Sequence, residues 1–423
     1  MAELPDRDSR PSHFHWNYAA FVIEESFSWL ALTFAGISSV LPAFARQLTS
    51  SEPLIGLTGT IYYGGWYLPQ VLFGRLLAGR RRKKPAMLVG LIGRAGFWVL
   101  GLTLLLRPQL QPAQMLALLY VCLGVWIVMD ALVSLAWADI VARAIPLDRR
   151  GSMMGLGQFL AGVGGIGAGA LVGVILVAPG ISFPTNYALL FVLAGALFMP
   201  GAAALASIRE PDPLPVQEER EQQQSGRSWL RAVAGDRVFR RFIVGRVLTG
   251  VGNMAIQFYV GHAQQVLHLS DATIGVFAIA QTVASLAGGL GLGLISDRRG
   301  PRAVIWIGGL AGLAAPLYAL VTHLCGAPLL VWAYPMVFVF LGISASSTWP
   351  GFFNYLLSVA PDDGRATYLG LANTIAGLLT LGPVLGGWLL QASSHTVLFS
   401  AALMLVGVGF LVTLGLRPLA PSR

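Results

Sequence analysis

With 423 residues, 55% of them hydrophobic and only 11% charged, and a mean hydropathy of +0.69, the chain is too apolar for a soluble globular domain, in which about 25% of residues are charged. The net charge of +9 lies in short segments between apolar runs, which fits an anionic membrane surface and argues against nucleic acid as a partner. Two cysteines, Cys122 in an apolar run and Cys325 in a short loop, exclude a disulfide framework and are read as free thiols.

The polar tail Met1 to Asn17 precedes an apolar run over 18–44. That run holds Glu24 and Glu25 and lacks a small-residue cleavage site, so it reads as a retained span rather than a leader. Eleven more runs follow, at 54–78, 86–106, 115–138, 152–178, 187–207, 242–266, 272–295, 303–322, 328–348, 367–391 and 397–416. Each approaches the roughly 20 residues needed to cross the bilayer core. Barrel strands would be about 10 residues long and alternate in polarity, which these runs do not. The expected fold is an all-α, polytopic membrane protein of twelve transmembrane helices in two pseudo-symmetric six-helix bundles. The first bundle covers 1–207, a polar Pro- and Glu-containing linker covers 208–241, and the second bundle covers 242–423.

With the N-terminus inside, 23 of the 28 Lys and Arg fall in cytoplasmic segments, and only Arg46 and Arg107 fall in outer loops. That asymmetry places both termini in the cytoplasm, in a bacterial plasma membrane. The two halves also resemble each other. A shift of 215 places aligns Pro146, Asp148 and Arg150 with Pro361, Asp363 and Arg365, part of eight identities over 22 positions. Internal repeats of this kind mark secondary transporters.

The loop after the eighth run reads Gly293-Leu-Ile-Ser-Asp297-Arg298-Arg299-Gly300-Pro301-Arg302. It resembles the loop signature of the major facilitator superfamily. Gly293, Asp297, Arg298, Gly300 and Arg302 are therefore gating-loop candidates. The matching loop after the second run keeps Gly74 and the bases Arg80 to Lys84 but has Ala78 in place of the acid. Gly382-Pro383 in the eleventh run resembles a Gly-Pro motif of some exporters, yet the fifth run has no proline and the fourth no arginine, so no subfamily is assigned.

Ionisable residues within spans are costly and call for a pairing or functional role. Glu24, Glu25, Asp130, Arg94 and Arg246 are the coupling candidates, three acids against two bases. Either they form a structural ion-pair network, or one acid is left over to carry a proton. Asn253, Gln257 and Gln264 follow Arg246 at helical spacing, a polar stripe on the seventh span. The resemblance implies that the first, fourth, seventh and tenth spans line a central cavity, which makes these three the substrate candidates. Trp29 and Trp126 join them because they share spans with the buried acids. His262 is read as no ligand. With no HExxH, P-loop or paired-His motif, neither metal nor cofactor is expected. The expected activity is secondary active transport of a small solute by alternating access, proton-coupled, by a monomer in the bilayer. The alternatives are a channel or scramblase-like pore and, last, an intramembrane enzyme.

Overall fold

The computed structural model describes residues 13–77, 80–211, 235–359, 372, 375, 377 and 379–417, and every regular element in them is helical. Most of the 208–241 linker and the start of the eleventh run lie outside these residues, as do Pro361, Asp363 and Arg365 of the repeat. Lipid offers the backbone no partner, so helices that satisfy themselves are the expected solution. In chain order they are α1 (Phe14–Phe34), α2 (Val40–Leu48), α3 (Glu52–Leu77), α4 (Lys84–Leu91), α5 (Ala95–Leu106), α6 (Pro112–Ala144), α7 (Leu147–Val177) and α8 (Thr185–Ser207). They continue as α9 (Arg237–Gly252), α10 (Tyr259–Gln265), α11 (Thr273–Arg299), α12 (Pro301–Cys325), α13 (Pro328–Trp332), α14 (Met336–Ser346), α15 (Asn354–Val359), α16 (Gly382–Ala392) and α17 (His395–Leu414).

Among the described residues, eight helical stretches are long and apolar enough to cross a membrane: 84–106, 112–144, 149–177, 185–207, 273–299, 301–325, 336–356 and 395–414. The chain is an all-α, multi-pass membrane protein. The other apolar runs are shorter or more polar for visible reasons. The first is split at Ala35–Ser39 and carries two adjacent glutamates. The seventh is loaded with Arg237, Arg240, Arg241 and Arg246 and interrupted by a 3₁₀ segment, Asn253–Phe258.

Packing follows the order of the chain. In the part before residue 212, α1 lies on α7 and α8, α5 on α8, and α3 and α4 on α6. In the part after residue 234, α9 lies on α17, α11 on α14, and α12 on α14 and α17. Between the two parts the main contacts are α7 with α11 and α3 with α16. Both seams bring backbone against backbone at some glycines and seat a partner's side chain at others, as Leu286 on Gly162 and Ile279 on Gly169. A Cβ on Gly173 of α7 would sit 2.9 Å from the Ala272 carbonyl oxygen, and one on Gly56 of α3 would overlap the Pro383 carbonyl. Small residues allow this approach, which gives dispersion contact in a solvent with little hydrophobic drive between helices.

The seams occupy only one end of the molecule. Along α7 and α11 they involve Gln158 to Gly173 and Ala272 to Gly289; along α3 they involve Glu52 to Leu68. Side-chain hydrogen bonds cross at this end too: Ser38 Oγ donates to Gln281 Oε1 at 2.6 Å, and Arg46 Nη1 to Gln265 Oε1 at 3.1 Å. The other end carries Arg80 to Lys84, Arg149, Arg150 and Arg298 to Arg302, and among the described residues no glycine seam joins the parts there. A Cβ on Gly74, Gly151, Gly155, Gly291 or Gly293 would meet nothing within 4 Å. The buried core repeats the division. One cluster at the joined end draws on both parts, from Phe44 and Trp126 to Phe258 and Phe338. At the basic end there are two separate clusters, one around Phe21, Met87 and Ile140 and one around Phe242, Ile305 and Tyr355. Among the described residues the two parts thus share a core at one end, the closed end, and have separate cores at the basic end, where the opening is drawn.

A polar knot fastens the base of the first part. Glu210, just beyond α8, accepts hydrogen bonds from the backbone amides of Lys83 and Lys84 at the start of α4, at 2.8 and 3.1 Å. It also pairs with Arg143 in the last turn of α6 at 2.8 Å. Burial alone would raise its pKa, but the Arg143 bond and the two amides outweigh that and hold the carboxyl below the usual range. A depressed carboxyl adds stability that is complete above the unfolded value of about 4.3 and is lost as pH falls through the folded value. Glu210→Gln is therefore expected to cost about 1–3 kcal/mol near neutral pH. Thermal unfolding in detergent should show that deficit shrinking toward zero below about pH 4. A deficit that stays constant into acid would mean the carboxylate charge is not what the knot uses.

Candidate functional site

The charges buried inside the first part are brought together by small residues on α4. A Cβ on Gly90 would sit 2.8 Å from the Met129 carbonyl oxygen, so α4 lies directly on α6. A 3₁₀ turn, Ile92–Arg94, then aims Arg94 inward. Its Nη2 meets Glu24 Oε1 at 2.9 Å and its Nε meets Asp130 Oδ1 at 3.3 Å. The guanidinium lies 5.2 Å from the centre of the Phe198 ring and is 3% exposed, with Nη1 unpartnered. Ser28 Oγ donates to the same Glu24 oxygen at 2.9 Å. Two carboxylates thus share one base.

Glu25 is turned about 100° from Glu24 by the helix and faces elsewhere. It rests against Gly157 of α7, where a Cβ would come within 2.6 Å of it. Its Oε1 accepts from Trp29 Nε1 at 2.9 Å and from Gln158 Nε2 at 3.4 Å. No Lys, Arg or His lies within ion-pair distance of it among the described residues. Glu25, Trp29 and Thr33 recur every four residues along one face of α1. Thr33 reaches the α7–α11 seam, 3.5 Å from a Cβ on Gly165. Glu25 lies at the limit of that seam, since its partner Gln158 is 3.8 Å from a Cβ on Gly289 of α11, and Trp29 is 51% exposed. On the other part, Arg246 of α9 stacks over Phe352 at 5.3 Å and also lacks a carboxylate within 4 Å among the described residues. Tyr67 of α3 lies within its electrostatic range.

The polar stripe of the seventh span does not survive as one face. The 3₁₀ segment Asn253–Phe258 advances about three residues per turn instead of 3.6 and re-phases everything after it. Asn253 is exposed. Gln257 is fully buried in the closed end, where its Oε1 lies 3.4 Å from Thr58 Oγ1 of α3 and its Nε2 is unpartnered. Gln264 donates to Asp271 Oδ1 at 2.6 Å, also at the closed end. Trp126, 2% exposed, belongs to an aromatic core with Phe97, Phe198 and Tyr62 at ring distances of 4.9, 5.9 and 6.0 Å. It packs the first part and does not face the opening.

In the loop between α11 and α12, Gly300 takes φ +79°, a turn conformation that an L side chain resists. Gly293 has open space around it, and Asp297 and Arg298 are exposed, with no ion pair among the described residues. Arg302 stacks on Trp306 at 4.3 Å and donates to the Leu414 carbonyl of α17 at 3.2 Å, so it ties helices within its own part.

One cluster escaped the reading of the sequence. His262 on α10, His323 on α12 and His395 on α17 meet at the closed end, with ring centroids 5.1 to 5.9 Å apart. The available signal was that three of the six histidines fall at the outer ends of the seventh, ninth and twelfth runs.

The geometry is that of a membrane transporter: a helical body closed at one end and parted at the other, with ionisable groups in the parted region. The model of the Major Facilitator Superfamily matches residues 27–380, and the chain belongs to that family. No curated protein matches it by sequence. Several solved structures share the fold at low identity. A bacterial homologue of the iron transporter ferroportin, in an inward-facing state, matches with a TM-score of 0.69 and 12% identity over 94% of this chain and 98% of that one. A D-xylose–proton symporter gives 0.66 and 16% over 95% and 97%. A bacterial homologue of the human lysosomal transporter Spinster, inward-facing and unoccupied, gives 0.60 and 15% over 96% and 95%.

Proposed function

We propose that the chain is a proton-coupled secondary transporter that carries a small solute by alternating access, as a monomer, through twelve spans in two six-helix bundles. The observation that carries this reading is Glu25, without an ion-pair partner among the described residues and set at the limit of the α7–α11 seam between the two parts. A carboxyl there meets solvent in one form of the carrier and is enclosed in the other, so its affinity for a proton follows the conformation. Arg94 satisfies the other two acids, which leaves Glu25 free for this role, and Asp130 stands behind it as the alternative carrier. Trp29 and Asn253, which are exposed, and Arg246, which has no carboxylate partner among the described residues, are the groups this reading offers to solute.

The open end faces the cytoplasm of a bacterium in this reading, because it holds the basic segments that favour an anionic inner leaflet. The closed end argues against a continuous pore, since seams and cross-contacts occlude it. Converging nucleophile or metal groups suited to an intramembrane enzyme are not found among the described residues.

A thermal-shift screen of purified protein against a solute library identifies a ligand, which at 100 times its dissociation constant stabilises by about 2.7 kcal/mol. That solute should enter proteoliposomes with saturation, and vesicles preloaded with it should show counterflow. Flux that rises linearly with concentration and shows no counterflow would assign a pore instead.

A further inference from the structure

The histidine cluster lies away from Glu25, at the opposite end of the molecule, and has its own chemistry. His262 is fully buried. Its Nδ1 is 2.9 Å from Tyr334 Oη, and its Nε2 is 3.1 Å from His323 Nδ1. The Tyr334 hydroxyl donates to the Tyr259 carbonyl at 3.3 Å, so its oxygen is left to accept. The neutral arrangement that satisfies all three contacts has the His262 proton on Nδ1, with its Nε2 accepting from His323 Nδ1–H. His323 Nε2 then keeps a free lone pair. His395 completes the group, with its Nε2 buried and unpartnered. A proton can therefore be added at His323 or His395 without breaking a bond to His262.

The cluster sits where the two parts touch. The Arg46 guanidinium of α2 lies on Gly261, the residue before His262. Arg46 is itself held by Glu52 of α3 through two contacts of 2.6 Å and reaches Gln265 at 3.1 Å. Arg46 and Glu52 are also the charged groups from the first part that act on His395. From the second part, the titratable groups facing the cluster are Tyr259 and Tyr334, with Phe399 covering it. Asp271 at the same end is bonded to Gln264.

We propose that His262, His323 and His395 form a proton-binding site, and that loading it releases the two parts from each other at the closed end. A positive charge among these rings is poorly solvated while the end is shut, and its only charged neighbours from the first part among the described residues, Glu52 in favour and Arg46 against, largely offset each other. Parting the seams withdraws Arg46 together with Glu52 and admits water, which solvates the imidazolium. The open form then binds the proton more tightly, and a ligand that prefers one form shifts the population toward it. Acid thus opens the closed end, whichever solute is carried.

The test uses the full chain in nanodiscs, with Cys122→Ser and Cys325→Ser, and spin labels at Ser50→Cys and Ser270→Cys, two exposed positions on opposite sides of the seam. Between about pH 7.5 and about pH 5, where an ordinary imidazole loads a proton, the ratio of long to short distances should rise roughly tenfold. The rise should vanish in the His323→Gln/His395→Gln variant, whose two positions are only half-buried, and persist in Glu25→Gln. His262→Gln gives a second reading if that double variant does not fold. Distances that stay fixed across this range, or a shift that survives removal of the histidines, overturns the proposal. A shift lost only in Glu25→Gln also overturns it and assigns the acid response to the opening at the other end.

Discussion

Glu25→Gln is expected to abolish uphill movement of solute on a proton gradient while leaving solute-for-solute exchange intact. Glutamine keeps an oxygen for Trp29 Nε1 and Gln158 Nε2, so the local structure at α1 and α7 is retained. What it removes is the capacity to bind and release a proton. One pH unit is worth 1.36 kcal/mol, so a carrier moving one proton per solute sustains about tenfold accumulation on a one-unit gradient. The variant should bring that ratio to about one, and exchange of labelled for unlabelled solute in the same proteoliposomes should continue. A variant that still concentrates solute removes Glu25 as the coupling group and passes the role to Asp130.

Arg94→Met should be the most damaging single change to folding in the first part. It would leave Glu24 and Asp130 facing each other, with the guanidinium that neutralises both gone. Breaking a buried ion pair from one side costs about 3–5 kcal/mol, whereas replacing the whole network with neutral groups is often tolerated. Arg94→Met should therefore lose most folded protein, as read by thermal unfolding in detergent. Arg94→Met combined with Glu24→Gln and Asp130→Asn should recover a large part of that loss. Wild-type stability in the single variant would show that the two acids are already neutral, and the pairing drawn here would be wrong.

The parts of the fold legible in the sequence are those set by composition and length. Eight long apolar helices stand where runs were expected, because lipid leaves the backbone no alternative, while the first, seventh and tenth runs are broken. Adjacent glutamates on a helix must point in different directions, and Glu24 and Glu25 do: one meets Arg94, the other Trp29. The failures arise where helical periodicity stops. The stripe from Arg246 to Gln264 assumes 3.6 residues per turn through Gly252, and the 3₁₀ segment beyond it sends Gln257 and Gln264 into the closed end. Trp126 shares a helix with Asp130, but its indole turns into the aromatic core of Phe97 and Phe198, a matter of packing that no spacing reveals. The histidines were illegible because His262, His323 and His395 belong to three separate spans, and only tertiary packing makes them neighbours.

The seams at the closed end have a bearing's construction. Gly173 and Gly275 on one, and Gly56 and Gly387 on the other, present bare backbone to the opposite part, while only a few side chains, Leu286, Thr282 and Ile279, seat in the glycines of α7. Interlocked side chains would have to change rotamer to come apart, at a cost in time as well as in free energy. Smooth surfaces separate or roll without that step. Polar ties also cross at this end, Ser38 to Gln281, Arg46 to Gln265 and Thr58 to Gln257, and each can be removed by one substitution, so the ease with which the parts separate should be tunable one bond at a time.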